Sequence, residues 1–230
     1  MSKRWMVRTV VAATVVLAAL IVVSACSSDD SGSGTGTGAD ATSLVGVAEV
    51  SERLAGIPQN GNVLGESAVT IVEYGDLQCP FCAQASAEVT PVLIDEFVRT
   101  GDAQLEFRSV AFLGADSETG ALAAQAAGRQ DGTWSFVEVL YANQGDENSG
   151  WLDEDIVREA AAATGLDLAQ FDQDFQSDEI VNELFENDRQ WRADGGTGTP
   201  HYVVTGPNGM RVVPAGASTA DFRAAVAEVS

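Results

Sequence analysis

Two cysteines three residues apart, Cys79 and Cys82, are the residues of this chain best suited to chemistry. They follow an apolar run at residues 69–74 and open a segment whose pattern predicts a helix. A helix start points unpaired backbone N–H groups and the positive end of the helix dipole at a sulfur, which favours the thiolate. We expect a reversible thiol–disulfide couple in which Cys79 is the nucleophile and Cys82 the resolving thiol.

The helix start is expected to lower the pKa of Cys79 by about one unit from the free value of about 8.5. Pro80 fits the first helical position, where its missing N–H has no helical partner. A purely structural disulfide is the weaker interpretation, because so small a ring constrains the unfolded chain by only about 2 kcal/mol. A closed zinc site would need further ligands, and the only histidine is His201. We therefore expect no metal and no cofactor.

Residues 1–25 have the pattern of an export signal: a basic start, an uncharged apolar run at 10–23 and small residues before Cys26. The apolar run has 14 residues and is short for a membrane span, which needs about 20. Residues 23–26, Val-Ser-Ala-Cys, resemble the lipobox of bacterial lipoproteins, in which the cysteine is lipidated. We expect cleavage and a lipid on Cys26, with an uncleaved anchor or a chance cysteine as the alternatives.

The lipidated Cys26 is expected to be followed by a flexible linker, so that residues 26–43 precede a domain at 44–230. The linker sequence holds Ser, Gly, Thr, Asp and Ala and no large apolar residue. Without the signal the chain has nine arginines, no lysine and 34 acidic residues, a net charge near −25. This charge excludes nucleic acid as a partner class. With Cys26 lipidated, the exported domain has one possible disulfide.

Strand and helix signals along the domain follow the order βαβ, helical block, β-hairpin and helix. Strands are predicted at 62–64, 69–74, 104–110, 201–205 and 210–213. Helices are predicted at 44–55, 81–99 with a kink or break at Pro91, 120–130, 133–144, 153–164, 167–175, 178–193 and 219–229. This order predicts an α/β fold, a mixed sheet with helices on both faces.

Three stretches give the domain a family resemblance: VTIVEYGDLQCPFC at 69–82, AAGRQDGTW at 126–134 and GTGTPHYVV at 196–204. With them the chain resembles the DsbA-like branch of the thioredoxin superfamily, the exported thiol–disulfide oxidoreductases with a helical insertion. The match runs from about residue 60 to residue 230. The resemblance implies a thioredoxin-like fold, a mixed central sheet flanked by helices, with an inserted all-helical subdomain at about 114–195.

The resemblance also implies two functional residues outside the cysteine pair. Pro200 should be cis and lie beside the cysteines, where the backbone of this turn pairs with an extended substrate segment. Glu73 should be the buried acid beneath the disulfide, with a raised pKa, able to exchange a proton with the Cys82 thiol. The alternative for Glu73 is an acid that reaches solvent at the end of its strand.

Two residues depart from the pattern of the most strongly oxidising relatives. Phe81 stands where those enzymes have histidine, and it offers the Cys79 thiolate neither a cation nor a hydrogen bond. Thr199 is more typical of isomerase and reductase relatives. His201 adjoins the site in the sequence, and alternation along a strand leaves two places for its side chain: beside the redox site, where it would tune the couple, or in the core.

The leading functional interpretation is an extracytoplasmic oxidase that introduces disulfides into exported proteins and is held on the outer face of the cell membrane by its lipid. Its expected partners are exported proteins with thiols or disulfides and a membrane redox protein that renews the disulfide. We expect a monomer. A reductase or isomerase of the same fold is the first alternative, and a non-catalytic peptide-binding lipoprotein is the second.

Overall fold

A computed structural model describes residues 43–214 and 216–230 of this chain. The predicted signal peptide, the predicted lipidation site Cys26, and the predicted linker as far as residue 42 lie outside the described residues. Among the residues that are described, no helix combines the length and the apolar character needed to cross a bilayer.

The strands of the described chain form one mixed six-stranded sheet. They are β1 Gln59–Asn60, β2 Val63–Leu64, β3 Thr70–Gly75, β4 Gln104–Ser109, β5 His201–Gly206 and β6 Gly209–Val213. Their order across the sheet is β1-β2-β4-β3-β5-β6, with β3 and β4 parallel and all other neighbours antiparallel. β3, which leads to the cysteines, is therefore central, and β5, which follows Pro200, is its direct neighbour.

The helices begin and end within three residues of their predicted bounds, with two larger differences. They are α1 Val47–Leu54, α2 Pro80–Glu88, α3 Thr90–Leu93, α4 Ala115–Gly128, α5 Thr133–Ala142, α6 Glu154–Ala163, α7 Leu168–Phe175, α8 Asp178–Ala193 and α9 Thr219–Val229. The helix predicted over 81–99 is interrupted at Val89, next to the break expected at Pro91, and continues through α3 into a π-helical turn, Ile94–Val98.

The second difference concerns α4, which begins at Ala115 and not near Gly120 as predicted. Gly120 lies inside this helix because the helix packs closely there. A β-carbon at this position would lie 2.5 Å from Leu152 Cδ2 and 3.1 Å from Leu77 Cδ1. The predicted start at Gly120 is therefore wrong, and glycine at this position marks a close contact between α4 and the chain just before the cysteines.

The two faces of the sheet pack against different partners. One face, with Ile71 and Phe107, joins the large core formed with the flanking helices, and both cysteines belong to that core. The other face, with Val72 and Tyr74, packs against Trp191 of α8. Helices α4 to α8 form the insertion between β4 and β5. The predicted architecture, a mixed sheet flanked by helices with a helical insertion, is confirmed.

Candidate redox site

The cysteine pair stands where β3 passes into α2. Cys79 is the N-cap residue of α2, Pro80 is its first helical residue, and the backbone N–H groups of Cys82 and Ala83 donate to the Cys79 carbonyl. Both sulfurs are free thiols. Cys79 keeps 4% of its surface exposed and Cys82 none, so attack from solvent reaches Cys79.

The segment between β3 and Cys79 is fixed by a buried polar network that the sequence analysis missed. The Asp76 carboxylate accepts from the Gln78 backbone N–H at 2.9 Å and from the Ser117 hydroxyl at 2.7 Å. The Gln78 amide donates to Ser117 Oγ at 2.9 Å. Asp76, Gln78 and Ser117 are all buried. Ser117 belongs to α4, so the helical insertion anchors the chain that presents the nucleophile.

Gln144 supplies a second anchor from the insertion. Its side-chain amide donates to the Leu77 carbonyl at 2.8 Å and to the Cys79 carbonyl at 3.2 Å. Next to it, the backbone N–H of Asn148 donates to Gln78 Oε1 at 2.6 Å. These partners are far apart along the chain, and no spacing pattern in the sequence joins them.

The turn at Pro200 lies against Cys79. The Thr199–Pro200 peptide bond is cis, as the resemblance implies. The Cys79 thiol donates to the Thr199 carbonyl oxygen at 3.2 Å. The Thr199 hydroxyl is buried and has no hydrogen-bond partner within the described chain, which leaves it free to donate to a thiolate. The structure therefore brings the cysteine pair and the turn at Pro200 into contact, and the redox interpretation depends on these two segments.

Several donors around Cys79 stabilise its thiolate. The Cys82 thiol contributes most, and with the Thr199 side chain and the backbone N–H groups of Cys82 and Phe81 it lowers the pKa of Cys79 from 9 to about 6, against the opposing effect of burial. The shift exceeds the one unit expected from the helix start because two side chains add to the backbone groups. It is reached although Phe81 offers no cation.

Cys82 has the opposite character. Burial, above all, raises its pKa well above the ordinary value, and the hydrogen bond to Cys79 and the negative charges of Cys79 and Glu73 raise it further. One sulfur of the pair is thus a thiolate at neutral pH and the other a thiol. This asymmetry is what a nucleophile and a resolving thiol require.

Glu73 lies beneath the pair in the centre of the sheet. It faces Tyr202 on β5 and Phe107 on β4, and only 4% of its surface is exposed, so the alternative of an acid reaching solvent is wrong. Burial first, and then the charge of Glu138, raise its pKa to about 8. The Tyr202 hydroxyl faces Glu73, but its hydrogen-bond geometry is poor. It therefore lowers the pKa of Glu73 by less than burial and Glu138 raise it. With this raised pKa, Glu73 holds a proton at neutral pH.

A further buried carboxyl, Glu138, comes from α5. It is 2% exposed and its Oε2 lies 2.7 Å from Arg53 Nη1. Burial outweighs the charge of Arg53 and raises the pKa of Glu138 to about 7. The sequence analysis missed this residue, although an acid in the otherwise apolar stretch of α5 is a signal that could have found it.

His201 lies on the face of β5 opposite to Tyr202 and Glu73. Its ring packs on that of Tyr74, with 5.9 Å between centroids, and its Nε2 lies 3.1 Å from the Asp194 carbonyl oxygen. Because a carbonyl only accepts, this nitrogen carries the proton. A role of His201 in redox tuning stays a prediction.

An open groove of about 520 Å³ runs beside the cysteines. Its walls are mostly apolar and include Phe81, Pro200, Ala217 and Phe222, with Glu88 as the acidic member. Phe81 is 68% exposed, which is unusual for a large apolar side chain. The groove offers an extended polypeptide an apolar surface next to the reactive sulfur.

The arrangement as a whole has the chemistry of thiol–disulfide exchange: a stabilised thiolate, a buried thiol, a buried acid and a cis-proline turn in contact with the sulfur. Among the residues described, no group of three or more histidine, cysteine or carboxylate side chains could hold a metal ion.

Comparisons with known proteins agree with this chemistry. A family model described as thioredoxin matches residues 59–215. The probable disulfide bond formation protein D of Bacillus cereus is 32% identical over 61% of this chain and 67% of its own length. The solved structure of oxidised BdbD from Bacillus subtilis covers 75% of this chain and 96% of its own, with 22% identity and a TM-score of 0.65. A thioredoxin-like oxidoreductase from Silicibacter pomeroyi covers 74% and 90%, with 29% identity and a TM-score of 0.59.

The chain therefore belongs to the thioredoxin superfamily as a DsbA-like member, and it is a thiol–disulfide oxidoreductase. The predicted family, fold class and enzyme class are confirmed.

Proposed function

We propose that this oxidoreductase works as an oxidase that introduces disulfides into exported proteins. The observation that carries the proposal is the pKa of about 6 at Cys79. A thiolate stabilised at neutral pH favours the reduced form of the enzyme, and a stabilised reduced form makes the disulfide a better oxidant. Relatives from two Bacillus species are named disulfide bond formation protein D, which supports the same direction.

The reaction starts from the Cys79–Cys82 disulfide. A substrate thiolate attacks the Cys79 sulfur, the bond between the two enzyme sulfurs breaks, and Cys82 leaves as a thiolate that takes a proton from Glu73. A second substrate thiolate then attacks the substrate sulfur of the mixed disulfide, and Cys79 leaves as its stabilised thiolate. The substrate dithiol has lost two electrons to the enzyme, and a membrane redox partner removes them to restore the disulfide.

The turn and the groove bind the substrate in this proposal. An extended segment pairs with the backbone at Thr199 and Pro200 while its apolar side chains contact Phe81 and the groove wall. Pro80 shapes the helix start between the sulfurs. This mode of binding places a cysteine against Cys79 without reading the sequence around it, which suits an enzyme that serves many exported proteins.

The proposed location is the outer face of the cell membrane. The export pattern of residues 1–25 and the lipobox resemblance that ends at Cys26 support it. Mass spectrometry of the mature protein tests this part alone: the expected N-terminus is a lipid-modified Cys26, and an intact residue 1 would contradict it. We propose a monomer that binds no nucleic acid.

The catalytic proposal is tested with a Cys82→Ser variant expressed with its signal in an exporting host. Because the mixed disulfide on Cys79 cannot be resolved by Cys82, we expect protein adducts that disappear on reduction in non-reducing gels. A Cys79→Ser variant is the matched control and should form none. If the Cys82→Ser variant also forms none, the chain binds peptides without turnover.

The direction of the reaction is tested by equilibration with glutathione. A reduction potential near the DsbA value of about −120 mV supports an oxidase. A potential near the thioredoxin value of about −270 mV overturns that direction in favour of a reductase.

A further inference from the structure

The loop that brings Thr199 to the sulfur is rich in glycine, which gives its backbone little intrinsic restraint. Residues 195–200 read Gly-Gly-Thr-Gly-Thr-Pro, and glycine restricts the backbone least of all residues. Gly195 adopts a positive φ of 84°. The Thr199 hydroxyl makes no hydrogen bond within the described chain that would fix it. Something outside the loop must therefore hold Thr199 at 3.2 Å from the Cys79 sulfur.

The two ends of this loop are joined to each other on the face of the sheet away from the cysteines. The loop leaves α8 at Asp194 and enters β5 at His201. The Nε2–H of His201 donates to the Asp194 carbonyl at 3.1 Å and closes the loop at its base. In the sheet His201 lies directly opposite Tyr74 of β3, and the two rings are in contact.

Asp194 is in turn fixed to the sheet and to its own helix. The Tyr74 hydroxyl donates to Asp194 Oδ2 at 2.6 Å, and the Gln190 amide donates to Oδ1 at 2.9 Å. Tyr74 is fully buried, and its hydroxyl also accepts from Arg108 Nη1 at 3.2 Å. Both carboxylate oxygens of Asp194 and its carbonyl thus have donors, so the residue has one well-defined position.

We propose that Tyr74, Asp194 and His201 are positioning residues that close the Gly-rich loop and so hold Thr199 against the Cys79 sulfur. None of the three needs to touch the sulfur. They act through Thr199, whose side chain is one of the groups that stabilise the Cys79 thiolate. The proposal concerns the reactivity of Cys79 and holds whether the enzyme oxidises or reduces its substrates.

Two substitutions at position 201 distinguish the effect of the hydrogen-bond donor from the effect of the aromatic ring. His201→Phe keeps an aromatic ring beside Tyr74 but removes the hydrogen bond to Asp194. His201→Gln loses the ring but keeps an N–H donor at about the place of Nε2. The pKa of Cys79 is measured from the pH dependence of thiolate absorbance and of alkylation by iodoacetamide in the reduced protein.

We expect His201→Phe to raise the pKa of Cys79 by about 0.5 to 1 unit, which is a three- to tenfold loss of thiolate below the pKa. His201→Gln should stay within about 0.3 units of the parent protein. Tyr74→Phe removes one donor to Asp194 and should raise the pKa in the same direction as His201→Phe. Phe171→Leu, a buried change in the helical insertion, controls for lost stability and should leave the pKa unchanged.

An unchanged pKa in both His201→Phe and Tyr74→Phe would overturn the proposal, because packing alone would then hold the loop. A shift in His201→Gln as large as that in His201→Phe would also overturn it, since keeping the N–H donor would then not preserve the pKa of Cys79. If Tyr74→Phe does not fold, the pair at position 201 decides. None of these readouts uses a substrate, so they are independent of the direction of the reaction.

Discussion

The buried polar groups on the two faces of β3 differ in their hydrogen bonding. On the face toward the cysteines, Glu73 is buried, and the Tyr202 hydroxyl opposite it has no hydrogen-bond partner within the described residues. On the other face, Tyr74 is just as buried, but its hydroxyl bonds both Asp194 and Arg108. One strand therefore carries a group that is ready to change its protonation state and, one residue later, a group that is fixed.

The difference shows what each face does. A buried polar group without partners costs about 1 to 3 kcal/mol of stability. In the proposed mechanism the burial of Glu73 has a use, because a carboxyl with a pKa of about 8 can hold a proton at neutral pH and release it. Complete hydrogen bonding removes that freedom and gives a fixed position, which is what the loop before Pro200 needs.

The largest effect is expected from Glu73→Gln. The variant cannot supply the proton that Cys82 needs when the disulfide opens, and general acid catalysis contributes about 10²-fold or more. We expect the reduction of the oxidised enzyme by a small dithiol to slow by about that factor. In the parent protein the rate per dithiol thiolate should fall above pH 8, where Glu73 ionises, and this fall should be absent from the variant.

Glu106→Gln is the control for that experiment, because Glu106 is a partly buried carboxyl paired with Arg108 and not one of the groups that shift the pKa of Cys82. It should leave the rate and its pH profile unchanged. A parent-like profile in Glu73→Gln would show that the proton reaches Cys82 from another group and that the two faces do not differ in function.

Glu73 and Glu138 should make the free energy of unfolding decrease as the pH rises, which is the reverse of what most acidic residues do. The pKa values of Glu73, about 8, and Glu138, about 7, lie above the ordinary 4.5, so the folded protein holds more protons than the unfolded chain between these values. Stability is therefore greatest below about pH 4.5 for these two groups and falls as the pH rises through the folded values. Each carboxyl contributes on the order of 1.4 kcal/mol per pH unit within its window.

Denaturant unfolding of the oxidised protein from pH 5 to pH 8 measures this slope without the titration of Cys79. Glu73→Gln lacks the contribution of one carboxyl, so its free energy of unfolding should change less steeply with pH than that of the parent protein. In the reduced protein the lowered pKa of Cys79 acts in the opposite sense, adding stability as the pH rises from about 6 to 9. Identical slopes in the parent and in Glu73→Gln would mean that this carboxyl is solvated.

The parts of the site that lie in short motifs could be predicted from the sequence. The cysteine pair and Pro80 follow from local chemistry, whereas the cis Pro200 and the burial of Glu73 were implied by the family resemblance. The side chain of His201 could not be placed, because its face depends on the register between β3 and β5.

The supporting residues could not be predicted, because the insertion supplies them from far along the chain. Gln144 and Ser117 look like ordinary polar residues of helices and loops until the fold brings them to Asp76 and Cys79. Strand β1 was missed because two residues carry no periodic signal. Local pattern therefore identifies the reacting atoms, and tertiary contacts decide how firmly they are held.

A smaller effect is expected from Gln144→Ala, which frees the Leu77 carbonyl and loosens the segment that presents Cys79. The Cys79 carbonyl keeps its helical donors, so α2 should persist. We expect alkylation of Cys79 to slow by about three- to tenfold, a loss of about 1 kcal/mol in line with one or two hydrogen bonds. Gln170→Ala, an exposed glutamine on α7, should have no effect. An unchanged rate in Gln144→Ala would show that the Asp76 network holds the segment alone.

The smallest effect is expected from Phe81→His, which restores the residue found in strongly oxidising relatives. Position 81 is largely exposed, so a histidine there would be hydrated, and an exposed charge pair contributes about 0 to 1 kcal/mol. The thiolate is already stabilised by the Cys82 thiol and by Thr199. We therefore expect the glutathione equilibrium to move toward the reduced enzyme by only about two- to fivefold at pH 6, where histidine is protonated.

The size of that shift tests which residues control the redox equilibrium of the cysteine pair. A change of a hundredfold or more would mean that the dipeptide between the cysteines controls the redox equilibrium and that the groups around Cys82 and Thr199 are secondary. A small change would mean that the redox equilibrium is controlled by the sheet and by the turn at Pro200. Glu73 lies on one face of β3 there, and the contacts of Tyr74 lie on the other. Phe81 then serves the substrate groove, and Phe81→His should weaken the binding of apolar peptides more than it alters the pKa of Cys79.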